Sequence, residues 1–220
     1  MTITFFNGGQ VVAKKQIILD ETAGLNAKHE SLGDVLDVGC GDQIYRSALR
    51  SKTYCGIDVA VSGRSRMHSD ALIFDGLNIP FPDSSFDFVL CTEVLEHAEE
   101  PEQLLLEMKR VVRSTGLILL TVPSMWGEHE VPYDFRRYTS FGIMQLANTV
   151  ALRVVRLEKE LPGVAALVRL AMSEVQASHT SQGAKAMALK WLRLTQYVMK
   201  CLQINMPRIY LTNVVLLSKQ

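Results

Sequence analysis

The chain has 220 residues (24.6 kDa), of which 48% are hydrophobic and 21% charged, so it is too apolar for a disordered chain and long enough for one domain with its own core. Its 23 Lys and Arg balance 23 Asp and Glu, which leaves no global electrostatic case for a nucleic-acid partner. The balance is uneven along the chain. Residues 1–174 hold 17 bases and 23 acids, whereas no acid follows Glu174 and six bases do: Lys185, Lys190, Arg193, Lys200, Arg208 and Lys219.

The first residues, MTITFFNGGQVV, lack the basic start and long apolar stretch of a secretory leader. No apolar run approaches the roughly 18–20 residues that span a bilayer. VLDV (35–38) is a short apolar run closed by Gly39 and Gly41, which predicts a buried strand, and IYRSALR (44–50) predicts a short helix. TYCGIDV (53–59), the region around ALIF (72–75) and FDFVLC (86–91) predict further strands. Pro101 opens the predicted helix PEQLLLEMKRVVR, whose Leu104, Leu105, Met108, Val111 and Val112 share one face. GLILLTV (116–122), RVVRL (153–157) and NVVLLS (213–218) complete the strands. Thr139 is expected to cap a helix that starts near Ser140.

Helices predicted over 164–176 and 184–205 form an insertion of about 162–207, joined by the polar SHTSQG. On the second, Met187, Trp191, Leu194, Val198 and Cys201 form an apolar stripe, with Arg193, Gln196, Lys200 and Gln203 on the polar side. Three readings fit it: packing within the domain, pairing with another subunit in a homodimer, or lying on an anionic membrane. Packing, within the domain or between subunits, is favoured. Cys40, Cys55, Cys91 and Cys201 form neither a CxxC pair nor a zinc-type cluster, so free thiols in a reduced, cytoplasmic setting are expected, with the membrane's inner face open to the basic helix.

Strands separated by helix-length segments predict an α/β fold with a mostly parallel sheet, whose ligands bind at the carboxyl ends of the strands. There, Asp37-Val38-Gly39-Cys40-Gly41 gives a turn in which a ligand can approach backbone, and Asp58 ends the next strand 19 residues after Gly39, where a carboxylate can hold a ribose. This much fits a nicotinamide dinucleotide almost as well, although Ile44 stands where that motif has its third glycine.

VLDVGCGD, YCGIDV, DGLNIPFPDSSFDFVLCTEVLEH and KRVVRSTGLILLTVP, in this order, resemble the class I S-adenosylmethionine-dependent methyltransferases. More narrowly, they look like the large bacterial group that methylates small molecules, sugars and lipid-linked intermediates. The likeness is close over about residues 33–123. It implies one domain over 1–220: a Rossmann-like three-layer sandwich with a seven-stranded, mostly parallel sheet, an antiparallel last strand and a helical insertion or lid before it. It also implies S-adenosylmethionine as cofactor, leaving S-adenosylhomocysteine, with Asp37, Gly39 and Gly41 at the methionine end. Asp58 would hold the ribose, Val59 would pack against the adenine, the Gly76 amide would meet its ring edge and Asp75 would accept from its amino group. The Cys91 backbone would accept from the methionine amine, and Thr92 and Glu93 would line the cofactor near the reacting methyl.

Two departures stand out. Gln43 replaces a third glycine and is expected to narrow the methionine pocket, and RSTG replaces R-P-G-G before strand five as a matter of turn chemistry.

The segment 123–139 resembles the H-x-x-P-x-D-x-x-R-x-T stretch of methyltransferases of bacterial glycan and polysaccharide pathways. His129 is the expected base or substrate contact, with Glu128 and Glu130 favouring its imidazolium. Trp126 and Tyr133 would line the acceptor, and Arg136 and Arg137 would either clamp a phosphate or carboxylate or pair with Asp134 and Glu130. His97 is expected to fix a helix start, and no carboxylate–histidine cluster at metal-ligand spacing is seen. The favoured activity is methylation of a hydroxyl on a sugar or glycan-linked small molecule, free or lipid-linked. The alternatives are C- or N-methylation of a small or isoprenoid metabolite, a non-catalytic cofactor-binding scaffold, or a nicotinamide-dependent enzyme.

Overall fold

The computed structural model describes residues 31–60, 68–202, 206 and 208–220. Seven strands, β1 (Asp34–Val38), β2 (Thr53–Val59), β3 (Leu72–Phe74), β4 (Phe86–Thr92), β5 (Val112–Pro123), β6 (Leu152–Glu160) and β7 (Thr212–Lys219), form one sheet in the order β3-β2-β1-β4-β5-β7-β6. β1 to β5 pair in parallel, and β7 runs antiparallel to both β5 and β6. The mostly parallel seven-stranded sheet with its antiparallel last strand is therefore as expected.

The strands are apolar on both sides because both faces are covered. Val89 and Cys91 of β4, Ile118 and Leu120 of β5, and Val215 and Leu217 of β7 face one core, which α1 (Pro101–Val111) and α2 (Ser140–Thr149) cover. Phe88, Leu90, Leu119, Val214 and Leu216 face the other, with Leu32, Tyr45 and Leu49. Pro101 occupies the first turn of α1, where its missing N–H is harmless, and Leu104, Leu105, Met108 and Val111 are fully buried. Thr139 caps α2 by accepting the Gly142 amide at 3.0 Å, as its side-chain chemistry predicts.

Three local readings need correction. The helix expected over 44–50 shrinks to one 3-10 turn, Arg46–Ala48. The residues RSTG (113–116) do not form a turn before strand five; they lie inside β5, where the register slips between Phe86↔Val112 and Phe88↔Leu117. A Cβ at Gly116 would stand 2.7 Å from the Asp87 carbonyl oxygen, so glycine lets the irregular strand lie against β4. The insertion folds as α3 (Val164–Ala177) and α4 (Gln182–Cys201), and no α4 side chain is buried, so among the described residues nothing covers its apolar stripe, contrary to packing within the domain. Gln203 and the end expected for this helix lie outside the described residues. Among the described residues no helix is long and apolar enough to cross a membrane.

Candidate active site

The sharp turn after β1 comes from two glycines in the left-handed region, Gly39 at φ +70° and Gly41 at φ +48°. A Cβ at Gly39 would stand 2.3 Å from Val94 Cγ2, so both backbone conformation and space demand glycine. Asp58, buried at the end of β2, accepts the Gly41 amide with one carboxylate oxygen and the Val59 amide with the other, both at 2.8 Å. This carboxylate thereby locks the two strand ends together. Its oxygens can each accept a further hydrogen bond, as ribose hydroxyls require.

Asp37 is 1% exposed. Tyr54 donates its hydroxyl to Asp37 Oδ2 at 2.5 Å, while Oδ1 is buried without a hydrogen-bond partner among the described residues. Burial pushes the Asp37 carboxyl up to about 7, with the Asp58 charge adding to the rise and Tyr54 opposing it. A buried, half-satisfied carboxylate beside a turn with no Cβ in the way fits the ammonium of an amino-acid ligand.

Gln43 takes the left-handed backbone (φ +53°) that a glycine would supply. Its buried amide does not stand as an obstacle of its own. It donates to Asp70 at 2.6 Å and accepts from Arg46 at 2.8 Å, which ties residues 68–70 to the turn. Asp75 Oδ1 accepts the amides of Leu77 and Asn78, and Oδ2 accepts from the Asn78 side chain. This turn sets Gly76 (φ +83°) against Val59, whose Cγ1 would lie 3.2 Å from a Cβ there. Cys91 lies in β4 with its thiol buried. Thr92 ends the strand within reach of the Tyr45 hydroxyl, and Glu93 turns at φ +54° with its amide bound to the Thr121 carbonyl. Asp37, Gly39, Gly41, Asp58, Val59, Asp75, Gly76, Cys91, Thr92 and Glu93 thus all lie at or just beyond the carboxyl ends of β1 to β4.

Beyond β5, Asp134 organises the segment 127–137. Its carboxylate, 3% exposed, takes both terminal nitrogens of Arg137 at 2.6 Å and the His129 amide at 2.9 Å, and stands 3.2 Å from His129 Nδ1. Burial works against this charge, but Arg137 and the His129 amide hold the carboxyl down at about 2. Arg137 also donates to the Trp126 and Gly127 carbonyls, and Arg136 to those of Ala98 and Glu99. The two arginines therefore brace the loop rather than form a two-armed clamp; the ion pair to Asp134 uses Arg137 alone. Trp126 is half-buried, and the Tyr133 ring is exposed beside Phe135.

His129 departs from expectation in its charge. Burial lowers its pKa, and the nearby Asp134 carboxylate only partly offsets this. The exposed Glu128 beside it in sequence does not reverse that balance, so the imidazole is neutral near pH 7. His97 is not at a helix start, since α1 begins at Pro101. It lies in the turn after β4 and binds the Tyr133 carbonyl through Nδ1 at 2.7 Å. Its ring meets that of His129 edge-on at 4.8 Å. With Glu96, the two histidines place potential ligand atoms within 4.8 Å of one another, so the expectation of no such cluster is overturned. Tyr54, Glu96 and the hub role of Asp134 escape a linear reading. Glu96-His97 after a strand and the three-residue spacing of Asp134 and Arg137 are the only traces they leave there.

A methyltransferase-domain family model matches residues 36–120. A fatty-acid O-methyltransferase of Mycolicibacterium smegmatis is 31% identical over 184 residues, 76% of this chain and 66% of that protein. An uncharacterized protein of Methanocaldococcus jannaschii is 30% identical over 49% of each chain. The chain spans about half the length of the curated relatives of this kind. The solved structure of a SAM-dependent methyltransferase from Aquifex aeolicus shares the fold, with a TM-score of 0.51 and 22% identity over 66% of this chain and 82% of that one. With the glycine turn, the strand-end carboxylates and the sheet order all in place, the chain belongs to the class I S-adenosylmethionine-dependent methyltransferases.

Proposed function

We propose that this chain transfers the methyl group of S-adenosylmethionine to a hydroxyl of a sugar or glycan-linked small molecule, presented on a lipid carrier at a membrane surface. The observation that carries the reading is His129: a neutral imidazole at the acceptor side of the cleft, with Nδ1 held by Asp134. Asp37 Oδ1 would receive the methionine ammonium and Asp58 the ribose. Val59 would pack against the adenine and the Gly76 amide would meet its ring edge, with Asp75 at its amino group; the Cys91 backbone would accept from the methionine amine, and Thr92 and Glu93 would lie near the reacting methyl. Bound there, S-adenosylmethionine supplies an electrophilic methyl carbon that an in-line oxygen takes as the C–S bond breaks and its electron pair returns to sulfur. The acceptor hydroxyl must lose its proton for this, and His129, more open than His97, is the imidazole to receive it, a contribution of about 10²–10⁴ in rate.

The acceptor's carrier is inferred from the insertion, which we read as a lid. A Cβ at Gly127 would stand 2.7 Å from Glu174 Oε1, so α3 sits directly on the His129 loop. On α4, Met187, Trp191, Leu194, Tyr197 and Val198 are all exposed, on a segment with four bases and no acid. Pairing two such helices about a two-fold axis would set like charges together, whereas an anionic bilayer meets both the stripe and the charge. The likeness to a fatty-acid O-methyltransferase supports an oxygen acceptor on an apolar molecule.

The test is incubation of the protein and source-cell extract with methyl-labelled S-adenosylmethionine, followed by partition into organic, aqueous and macromolecular fractions. Label in the organic fraction, absent with Asp58→Ala, is expected. Aqueous label would replace the lipid-linked acceptor by a free metabolite. An unchanged rate in His129→Ala would turn the reading to a nitrogen acceptor, which needs no base.

A further inference from the structure

We infer that Glu96, His97 and His129 form a binding site for a divalent first-row transition-metal cation, set beside the acceptor side of the cleft. The three ligands come from two segments, the turn after β4 and the loop after β5, that meet only in the folded chain. Glu96 is fully buried, and His97 Nε2 lies 3.8 Å from Glu96 Oε1.

The second, independent observation is the orientation of the two imidazoles. The Tyr133 carbonyl can only accept, so the 2.7 Å contact makes His97 Nδ1 a donor. Likewise His129 Nδ1 faces only acceptors, Asp134 Oδ2 at 3.2 Å and the Gly127 carbonyl at 3.3 Å. Each Nδ1 is thus engaged by an acceptor, so Nε2 is the nitrogen each ring offers to a cation, the arrangement that metal-binding histidines adopt when a carbonyl or carboxylate orients the other nitrogen. Asp134 serves one ring in that way and Tyr133 the other. Two imidazoles and one carboxylate, with no thiolate in the set, suit a borderline cation such as zinc, cobalt or iron better than magnesium or calcium.

The dimensions are within side-chain reach. Ligand atoms of a tetrahedral site with bonds of about 2.1 Å stand about 3.4 Å apart, so the present spread of up to 4.8 Å must close by about 1.4 Å, roughly 0.7 Å from each side. Three protein ligands leave coordination positions open. An acceptor hydroxyl bound at one of them would ionise more readily, its proton leaving to solvent, and His129 would then act as a ligand rather than as the proton acceptor. This role rests on the methyl-transfer reading above; cation binding itself does not.

The experiment titrates the chelator-treated full chain with Co²⁺ and reads the visible d–d absorption and the stoichiometry, without turnover. One Co²⁺ per chain is expected, displaced by Zn²⁺ and weakened at least tenfold in His129→Ala and in Glu96→Gln, with binding retained in His68→Ala, whose imidazole lies outside the cluster. S-adenosylhomocysteine binding and the melting temperature of each variant report folding, and if Glu96→Gln does not fold, His129→Ala decides. Absence of stoichiometric Co²⁺ binding by the wild-type chain, or equal binding in His129→Ala, overturns the site. Methyl transfer that survives while no cation binds leaves His129 as the base and sinks only this inference. Cation binding without any methyl transfer sinks the functional reading and leaves the site.

Discussion

Asp37 and His129 stand at the same edge of one sheet, yet their surroundings are built differently. On the cofactor side, single carboxylates hold backbone amides a few residues away. Asp75 binds Leu77 and Asn78, Asp58 binds Val59, and the bonds from Asp58 to Gly41 and from Tyr54 to Asp37 cross between strands. On the acceptor side, one carboxylate, Asp134, holds side chains that hold one another, and His97 reaches the loop from another strand's end. The first construction fixes backbone and tolerates little change at its glycines. The second fixes side-chain protonation and orientation, and it can be altered in the loop without disturbing the sheet.

Separating the two sides experimentally begins with His129→Ala. Methyl transfer is expected to fall by about 10²–10⁴ while S-adenosylhomocysteine affinity, read by calorimetry, stays unchanged. A parallel loss of affinity would break the division. Asp58→Ala is expected to do the reverse, weakening S-adenosylhomocysteine binding by about 100-fold, since hydrogen bonds to a charged group are worth roughly 1.5–3 kcal/mol each.

Gly39→Ala comes next. A left-handed φ and a contact to Val94 should cost about 1–3 kcal/mol, visible as a lower melting temperature, whereas substitution at the exposed Gly183 has open space and no such contact to meet.

The pH dependence of binding is gentler. Asp37 titrates at about 7 when folded against roughly 3.9 unfolded, so it favours the folded state below pH 4 and that advantage is lost as pH rises through 7. With Asp37 as the proposed partner of the methionine ammonium, cofactor binding would need the ionised form. S-adenosylhomocysteine affinity should therefore weaken by up to about tenfold per unit below pH 7, with proton release measurable by calorimetry in buffers of different ionisation enthalpy. Asp37→Asn should abolish this slope and raise the melting temperature at pH 8.

The smallest expected effect is that of Trp191→Ser. Stability should change by less than about 0.5 kcal/mol because the ring is exposed, while flotation with anionic vesicles should be lost.

The same division explains what could be read from the chain. β2 falls at Thr53–Val59 as its apolar run and flanking residues indicate, and the Asp37-to-Asp58 spacing is a local consequence of one strand, one turn and the next strand. Thr139 is legible because a cap depends on three neighbouring residues. His97 is not, because its partners lie in a loop more than thirty residues on and proximity to a helix in sequence is a poor guide to them. His129 carries a related lesson. Neighbouring glutamates suggest a protonated ring, but burial dominates and is invisible in a string of letters. Arg137 illustrates the middle case: its pairing with Asp134 follows from spacing, while its hold on Trp126 and Gly127 does not.

β7 has a consequence for how the molecule forms. It follows β6 in sequence, yet it lies between β5 and β6, with every residue but Lys219 buried. The sheet therefore cannot close until β7 is made, and the apolar edge of β5 waits uncovered during synthesis, a window for aggregation or chaperone capture. The insertion leaves and re-enters the sheet at the paired residues Glu160 and Thr212. Doubling the length between them would add only about 0.6 kcal/mol of closure entropy. Folding kinetics thus constrain the strand strictly and leave the segment before it free to diversify.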